Sequence, residues 1–170
     1  MGANIGVSVA EYLHTSFPDL DREYRNGELV ERALPDYLHS RVQLLLGVIF
    51  EALRKQFSLY ACPELRVKLR EGVYLIPDLC VYQGVPPGAV PDTPPLVAIE
   101  ILSPDDRWGA VREKLEEYKE WGVAHVWLVD PHGKRLYHCD GGRCEGALSE
   151  VTALALPEFG VEITPSQIFE

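Results

Sequence analysis

Two acidic residues interrupt stretches of chain that are otherwise apolar and strand-like. Asp78 follows Pro77 at the head of the run Pro77-Asp-Leu-Cys-Val-Tyr82, and Glu100 lies inside Leu96-Val-Ala-Ile-Glu-Ile-Leu102. The second run is almost continuously apolar, as expected of a central strand covered on both faces. Burying an unpaired carboxylate there costs several kcal/mol or more, so each acid must be paired, protonated or bound to a metal. Carboxylates on neighbouring strands repel each other unless a cation lies between them. Mg²⁺ suits that arrangement, because it takes oxygen ligands, one or two of them carboxylates, and keeps several waters. The backbone carbonyl of Ile101 offers a further oxygen. Lys114 lies on a helix expected after the second strand, where it borders the apolar stripe Trp108, Val111, Leu115 and Tyr118 instead of facing open water. Its ammonium could reach the mouth of the sheet, to orient an attacking water or neutralise developing phosphate charge.

Each of these residues also has a purely structural reading. Asp78 after a proline can cap a turn at a strand edge. Glu100 can be a buried ion-pair partner of Arg66, Lys68 or Lys114, and Lys114 can be a helix lysine that buries its stem and keeps its head in water. His39, at the start of a long helix, reads as a capping or packing residue as readily as a functional one. Glu31 is either a further acid near a metal or a solvated strand residue. Ser103 reads first as a helix cap. Asp105 and Asp106 suit the positive end of the helix dipole, although either could approach a metal. Trp121 and Trp127 read as core.

The elements that must position these groups follow from periodicity. Residues 8–16 read as a short helix capped by Ser8. Tyr24 to Ala33 reads as a hairpin turning at Asn26-Gly27. A helix of about twenty residues runs from Tyr37 to Phe57, with Leu38, Val42, Leu45, Leu46, Ile49, Leu53 and Phe57 on one wide face. Strands are expected at 65–69, 77–82, 96–102, 125–130 and 135–139. The helix carrying Lys114 should begin at Ser103-Pro-Asp-Asp and end at Gly122, a glycine placed to cap it. This order predicts an α/β (α+β) fold with a mixed central β-sheet flanked by helices. One domain is expected over 1–170, with an N-terminal helix and hairpin extension (1–35), a core (36–140) and C-terminal strands and tail (141–170).

Composition narrows the function classes. Of the 170 residues, 46 % are hydrophobic and 25 % charged, which is ordinary for a globular chain and excludes collagen-like or low-complexity classes. At this length one core can bury roughly 70 % of the unfolded surface without disulfides or metal staples. Four cysteines, at 62, 80, 139 and 144, show neither disulfide-framework nor zinc spacing. No signal peptide is recognisable, and no apolar run approaches the ~20 residues that span a bilayer, so a cytoplasmic protein is expected. The net charge of −10 opposes bulk binding to nucleic acid or anionic membranes. Any contact with DNA must use a local basic row, for which Arg66, Lys68 and Arg70 alternate along one strand.

Taken together, Pro77-Asp78, Ile99-Glu100-Ile101-Leu102-Ser103-Pro104, Lys114 with Tyr118, and Trp121-Gly-Val-Ala-His-Val-Trp-Leu-Val-Asp-Pro131 resemble the Uma-type restriction endonuclease family of the PD-(D/E)xK nuclease superfamily. Gly27-Glu-Leu-Val-Glu31 and His39 are similar to it as well, and the likeness covers roughly residues 20 to 140. The resemblance implies a restriction-endonuclease-like core, Mg²⁺ (or Mn²⁺) held by Asp78 and Glu100, and hydrolysis of DNA phosphodiester bonds with metal-activated water and a lysine. The position two after Glu100 is Leu102 where the superfamily carries lysine, and Lys114 on the following helix is the matching residue here. Leu102 and the acidic surface also motivate a second reading, a catalytically inactive fold kept for binding or assembly. A hydrolase of non-DNA phosphodiesters is a third. A homo-oligomer, dimer or higher, is expected because cutting two strands needs two sites.

Overall fold

The computed structural model describes residues 6–17, 22–139 and 148–169. Helix α1 (Val9–His14) is closed by a capping box, in which Ser8 and Glu11 each bond the other's backbone amide. Strands β1 (Arg22–Arg25) and β2 (Glu28–Glu31) form the expected hairpin. Asn26 and Gly27 both take positive φ, 50° and 97°, as the tight two-residue turn requires. Helix α2 (Tyr37–Phe57) starts at Asp36, whose carboxylate accepts the His39 amide at 2.8 Å, and matches the span expected from its periodicity.

Strands β3 (Leu59–Pro63), β4 (Val67–Arg70), β5 (Val73–Leu75), β6 (Leu79–Gln83) and β7 (Val97–Ile101) follow. Helix α3 (Trp108–Trp121) and strand β8 (His125–Asp130) complete a crossover, so that β7 and β8 run parallel. The chain continues through β9 (Arg135–Cys139), β10 (Leu148–Val151), β11 (Leu154–Leu156), a 3₁₀ turn at Pro157–Phe159, β12 (Val161–Ile163) and α4 (Pro165–Ile168). The main sheet has the order β10-β9-β8-β7-β6-β3 and is mixed, as expected; a second sheet has the order β2-β1-β5-β4.

Side chains alternate across β7 with period two. Val97, Ile99 and Ile101 pack toward α2, among Val42, Leu46, Phe50 and Trp127. Ala98 packs on the opposite side, with Leu115 and Tyr118 of α3 and with Val67 and Leu75 of the second sheet. Glu100, in phase with Ala98, therefore faces α3 and is roofed by the second sheet. No helix among the described residues is long and apolar enough to cross a membrane.

Several local expectations need correction. Helix α3 begins at Trp108 and not at Ser103, because the Asp106 carboxylate accepts the Ser103 amide at 2.7 Å and closes a separate turn. Ser103 therefore does not cap α3, whose cap residue Arg107 makes no side-chain bond. Trp108 is 50 % exposed and leaves the core stripe, whereas Leu115 and Tyr118 are buried as expected. Strands β3 and β5 were not foreseen. Both are short, and β5 is defined by its pairing with β1 and β4 more than by any local pattern. Cys139 is disulfide-bonded, although the cysteine spacing pointed to no disulfide. The turn expected at Asp140-Gly-Gly lies outside the described residues.

Candidate active site

Strands β6 and β7 pair antiparallel with Leu79 opposite Ile99, which brings Asp78, one residue before β6, beside the C-terminal end of β7. The Ile101 amide donates to Asp78 Oδ2 at 2.7 Å. His39 Nε2 lies 3.3 Å from the same oxygen. The other oxygen, Oδ1, accepts from Arg32, in the segment that follows β2. Gln43 on α2 donates to the Asp78 carbonyl at 2.7 Å, fixing the backbone on which the acid sits. Burial alone would raise the Asp78 pKa, but the His39 bond and the charges of Lys114 and Arg32 outweigh it and hold the carboxyl below its ordinary range.

Glu100 is held from α3. Lys114 Nζ lies 3.0 Å from each of its carboxylate oxygens, and the Tyr118 hydroxyl donates to Oε1 at 2.8 Å. Lys114 also donates to the Ile76 carbonyl at 2.8 Å and lies 2.6 Å from Glu23 Oε1. Its three N–H groups thus have three sets of partners, all buried. Glu23 comes from β1, where Tyr24 points to the opposite side among Tyr12 and Tyr74. Glu23 Oε1 also accepts the Ile76 amide at 3.0 Å.

Asp78, Glu100 and Glu23 therefore share the cations Lys114 and Arg32, and Arg25 lies 3.9 Å from the second oxygen of Glu23. Burial would lower the Lys114 pKa, but Glu100, Glu23 and Asp78 raise it, so the ammonium keeps its proton. Burial pushes the Glu100 pKa up to about 8, with Asp78 and Glu23 adding to the rise and Lys114 opposing it.

This cluster lines a cleft of about 230 Å³ whose wall includes Asp78, Glu100, Ile101, Lys114, Arg32 and His39. The structure brings together four of the expected side chains (Asp78, Glu100, Lys114 and His39) with the Ile101 backbone. Ser103 borders the cleft with its amide engaged by Asp106. Glu31 lies at the rim, with its side chain 63 % exposed and paired with Arg22 at 3.0 Å. The row Arg66, Lys68 and Arg70 does not line the cleft. Arg66 stacks on Tyr12, Lys68 pairs with Glu71 at 3.1 Å, and Arg70 pairs with Glu117 at 3.0 Å.

Two members of the cluster escaped the sequence reading. Glu23 alternates with an aromatic residue in a hairpin strand, a weaker form of the pattern that singled out Glu100. Arg32 carries no local signal, since its partner Asp78 lies 46 residues away.

A divalent cation suits this donor set. Asp78 and Glu100 carry hard carboxylate oxygens on one cleft, and the repulsion from Asp78 that helps raise the Glu100 pKa is what a cation between them would relieve. Among the described residues, no group of three or more His, Cys, Asp or Glu is placed to hold a metal ion by itself. Two carboxylates with retained waters are nonetheless a common Mg²⁺ environment.

Comparison with known proteins places this geometry. The chain superposes on the crystal structure of a protein from Anabaena variabilis, titled "a putative nuclease belonging to DUF820", with a TM-score of 0.79 at 20 % identity. The match covers 96 % of this chain and 97 % of that one, so the two share a restriction-endonuclease-like fold. The comparison with curated proteins gave no match. The sequence model of the Uma2 family, described as "Putative restriction endonuclease", matches residues 9–170, nearly the whole length, and the chain belongs to that family.

Proposed function

We propose that the protein is a Mg²⁺- or Mn²⁺-dependent endonuclease that hydrolyses DNA phosphodiester bonds in the cleft between β6, β7 and α3. The observation that carries this reading is the convergence of Asp78, Glu100 and Lys114 on one cleft. In this reading Asp78 and Glu100 hold the cation, with the Ile101 carbonyl as a third oxygen. When bound, the ion polarises the phosphodiester and makes water acidic enough to attack it. Lys114, fixed by Glu23 and the Ile76 carbonyl, presents its ammonium where phosphate charge develops. His39 and the Ile101 amide orient Asp78, so that its position does not depend on the ion.

A second reading, a fold retained for binding or assembly without catalysis, draws on one observation. Both carboxylates are already engaged by protein cations, Asp78 by Arg32 and Glu100 by Lys114. Calorimetric titration of Mn²⁺ into wild type and Asp78→Ala separates the two. The nuclease reading expects saturable binding that the substitution removes, followed by metal-dependent cleavage of supercoiled, linear or single-stranded DNA that Lys114→Met abolishes. A wild-type protein that binds no Mn²⁺ refutes it and leaves the second reading.

A further inference from the structure

Asp78 Oδ2 is committed to the Ile101 amide and to His39, both carried by regular elements. Oδ1 is different, because its partner is the Arg32 guanidinium, which arrives from the segment between β2 and α2. A cation that used Asp78 Oδ1 would compete with Arg32 for that oxygen. Two positive centres sharing one carboxylate oxygen repel strongly in a partly buried site. Arg32 has a second acidic neighbour outside the cleft, Glu64, with Nη1 at 3.7 Å and the Glu64 side chain 45 % exposed. Its own side chain is 16 % exposed and lines the cleft.

We propose that Arg32 is both a competitor of the metal and a phosphate ligand. In the metal-free protein it neutralises Asp78; once a divalent cation takes Oδ1, the guanidinium turns to the cleft mouth and binds a backbone phosphate of the incoming DNA. The planar fork of arginine matches two phosphate oxygens as it matches a carboxylate, so the same group serves both partners. The exchange also supplies a cationic DNA contact at the cleft, where Arg66, Lys68 and Arg70 are absent. This inference rests on the proposed metal site and adds a named substrate contact to it.

The test uses Arg32→Gln, which still hydrogen-bonds Asp78 but carries no charge, and Arg32→Lys, which keeps the charge and loses the fork. Mn²⁺ affinity is read by calorimetry, and affinity for a short fluorescein-labelled DNA duplex by anisotropy with Ca²⁺ as the ion. Arg32→Gln is expected to bind Mn²⁺ about tenfold more tightly than wild type and DNA about tenfold more weakly. Arg32→Lys is expected to bind Mn²⁺ like wild type and still lose DNA affinity. Mn²⁺ binding by Arg32→Gln that is no tighter than wild type overturns the competition. Unchanged DNA affinity in both variants overturns the phosphate role. Absence of Mn²⁺ binding in wild type and variants alike refutes the metal site itself, which is a separate failure. Should Arg32→Gln not fold, Arg32→Lys decides: wild-type DNA affinity in it overturns the proposal.

Discussion

Replacing Glu100 by glutamine should make the protein more stable, and increasingly so as the pH rises. The carboxyl has an ordinary pKa of 4.5 and is pushed up to about 8, by burial first and then by Asp78 and Glu23. An acid whose folded pKa is raised binds more protons folded than unfolded, so its contribution to stability is complete below pH 4.5 and is lost as the pH climbs toward 8. At 1.36 kcal/mol per pH unit the full loss is ~5 kcal/mol, and ~3 kcal/mol is a realistic figure once the surroundings relax. Glutamine carries no proton to lose. It keeps an oxygen for the Tyr118 hydroxyl, and Lys114 retains Glu23 and the Ile76 carbonyl. Wild type and Glu100→Gln should therefore be of similar stability at pH 5, with the variant ahead by ~3 kcal/mol at pH 8. For a chain of this length that is roughly 6–12 °C in melting temperature. Urea denaturation of both proteins in metal-free buffer from pH 5 to pH 9 measures it. A difference that stays flat, or a variant that loses ground as the pH rises, refutes the raised Glu100 pKa and makes Glu100 a stabilising ion-pair partner of Lys114.

The same proton should appear in metal binding. Below pH 8 an ion must displace it from Glu100, so Mn²⁺ affinity should fall about tenfold per pH unit, with close to one proton released when titrations are compared in buffers of different ionisation enthalpy. Mn²⁺ should raise the melting temperature of wild type and leave Glu100→Gln unmoved in a thermal-shift assay. Asp36→Ala removes the N-cap of α2 and should cost about 1 kcal/mol in urea denaturation, with a further loss of Mn²⁺ affinity because His39 lies in the capped turn. Phe50→Ala, in the core against Trp127 at 6.2 Å between ring centroids, should cost about 3–5 kcal/mol and leave Mn²⁺ affinity per folded molecule unchanged.

Local chemistry was enough to read much of this protein from its residues in order. The three-and-four spacing and the Asp36 cap define α2 over the whole of Tyr37–Phe57. Asn26-Gly27 defines the hairpin, and the almost continuously apolar run of β7 marks a doubly covered strand in which Glu100 stands out. These features depend on side chains a few residues apart, so periodicity and turn preference express them directly. The acids Asp78 and Glu100 are legible for the same reason, as charges at the head of and inside apolar runs that have no local use for them.

The state of those acids was not legible, because it depends on groups brought in from distant parts of the chain. The antiparallel pairing of β1 with β5 roofs α3 and delivers Glu23 to Lys114, and the end of β2 delivers Arg32 to Asp78. The same packing gives Arg66, Lys68 and Arg70 partners that strand alternation alone could not reveal. A residue's type and spacing state which charges must be answered. Which charges answer them is set by strand pairing across tens of residues, and the network of Asp78, Glu100 and Glu23 with Lys114 and Arg32 exists only once both sheets have closed over α3.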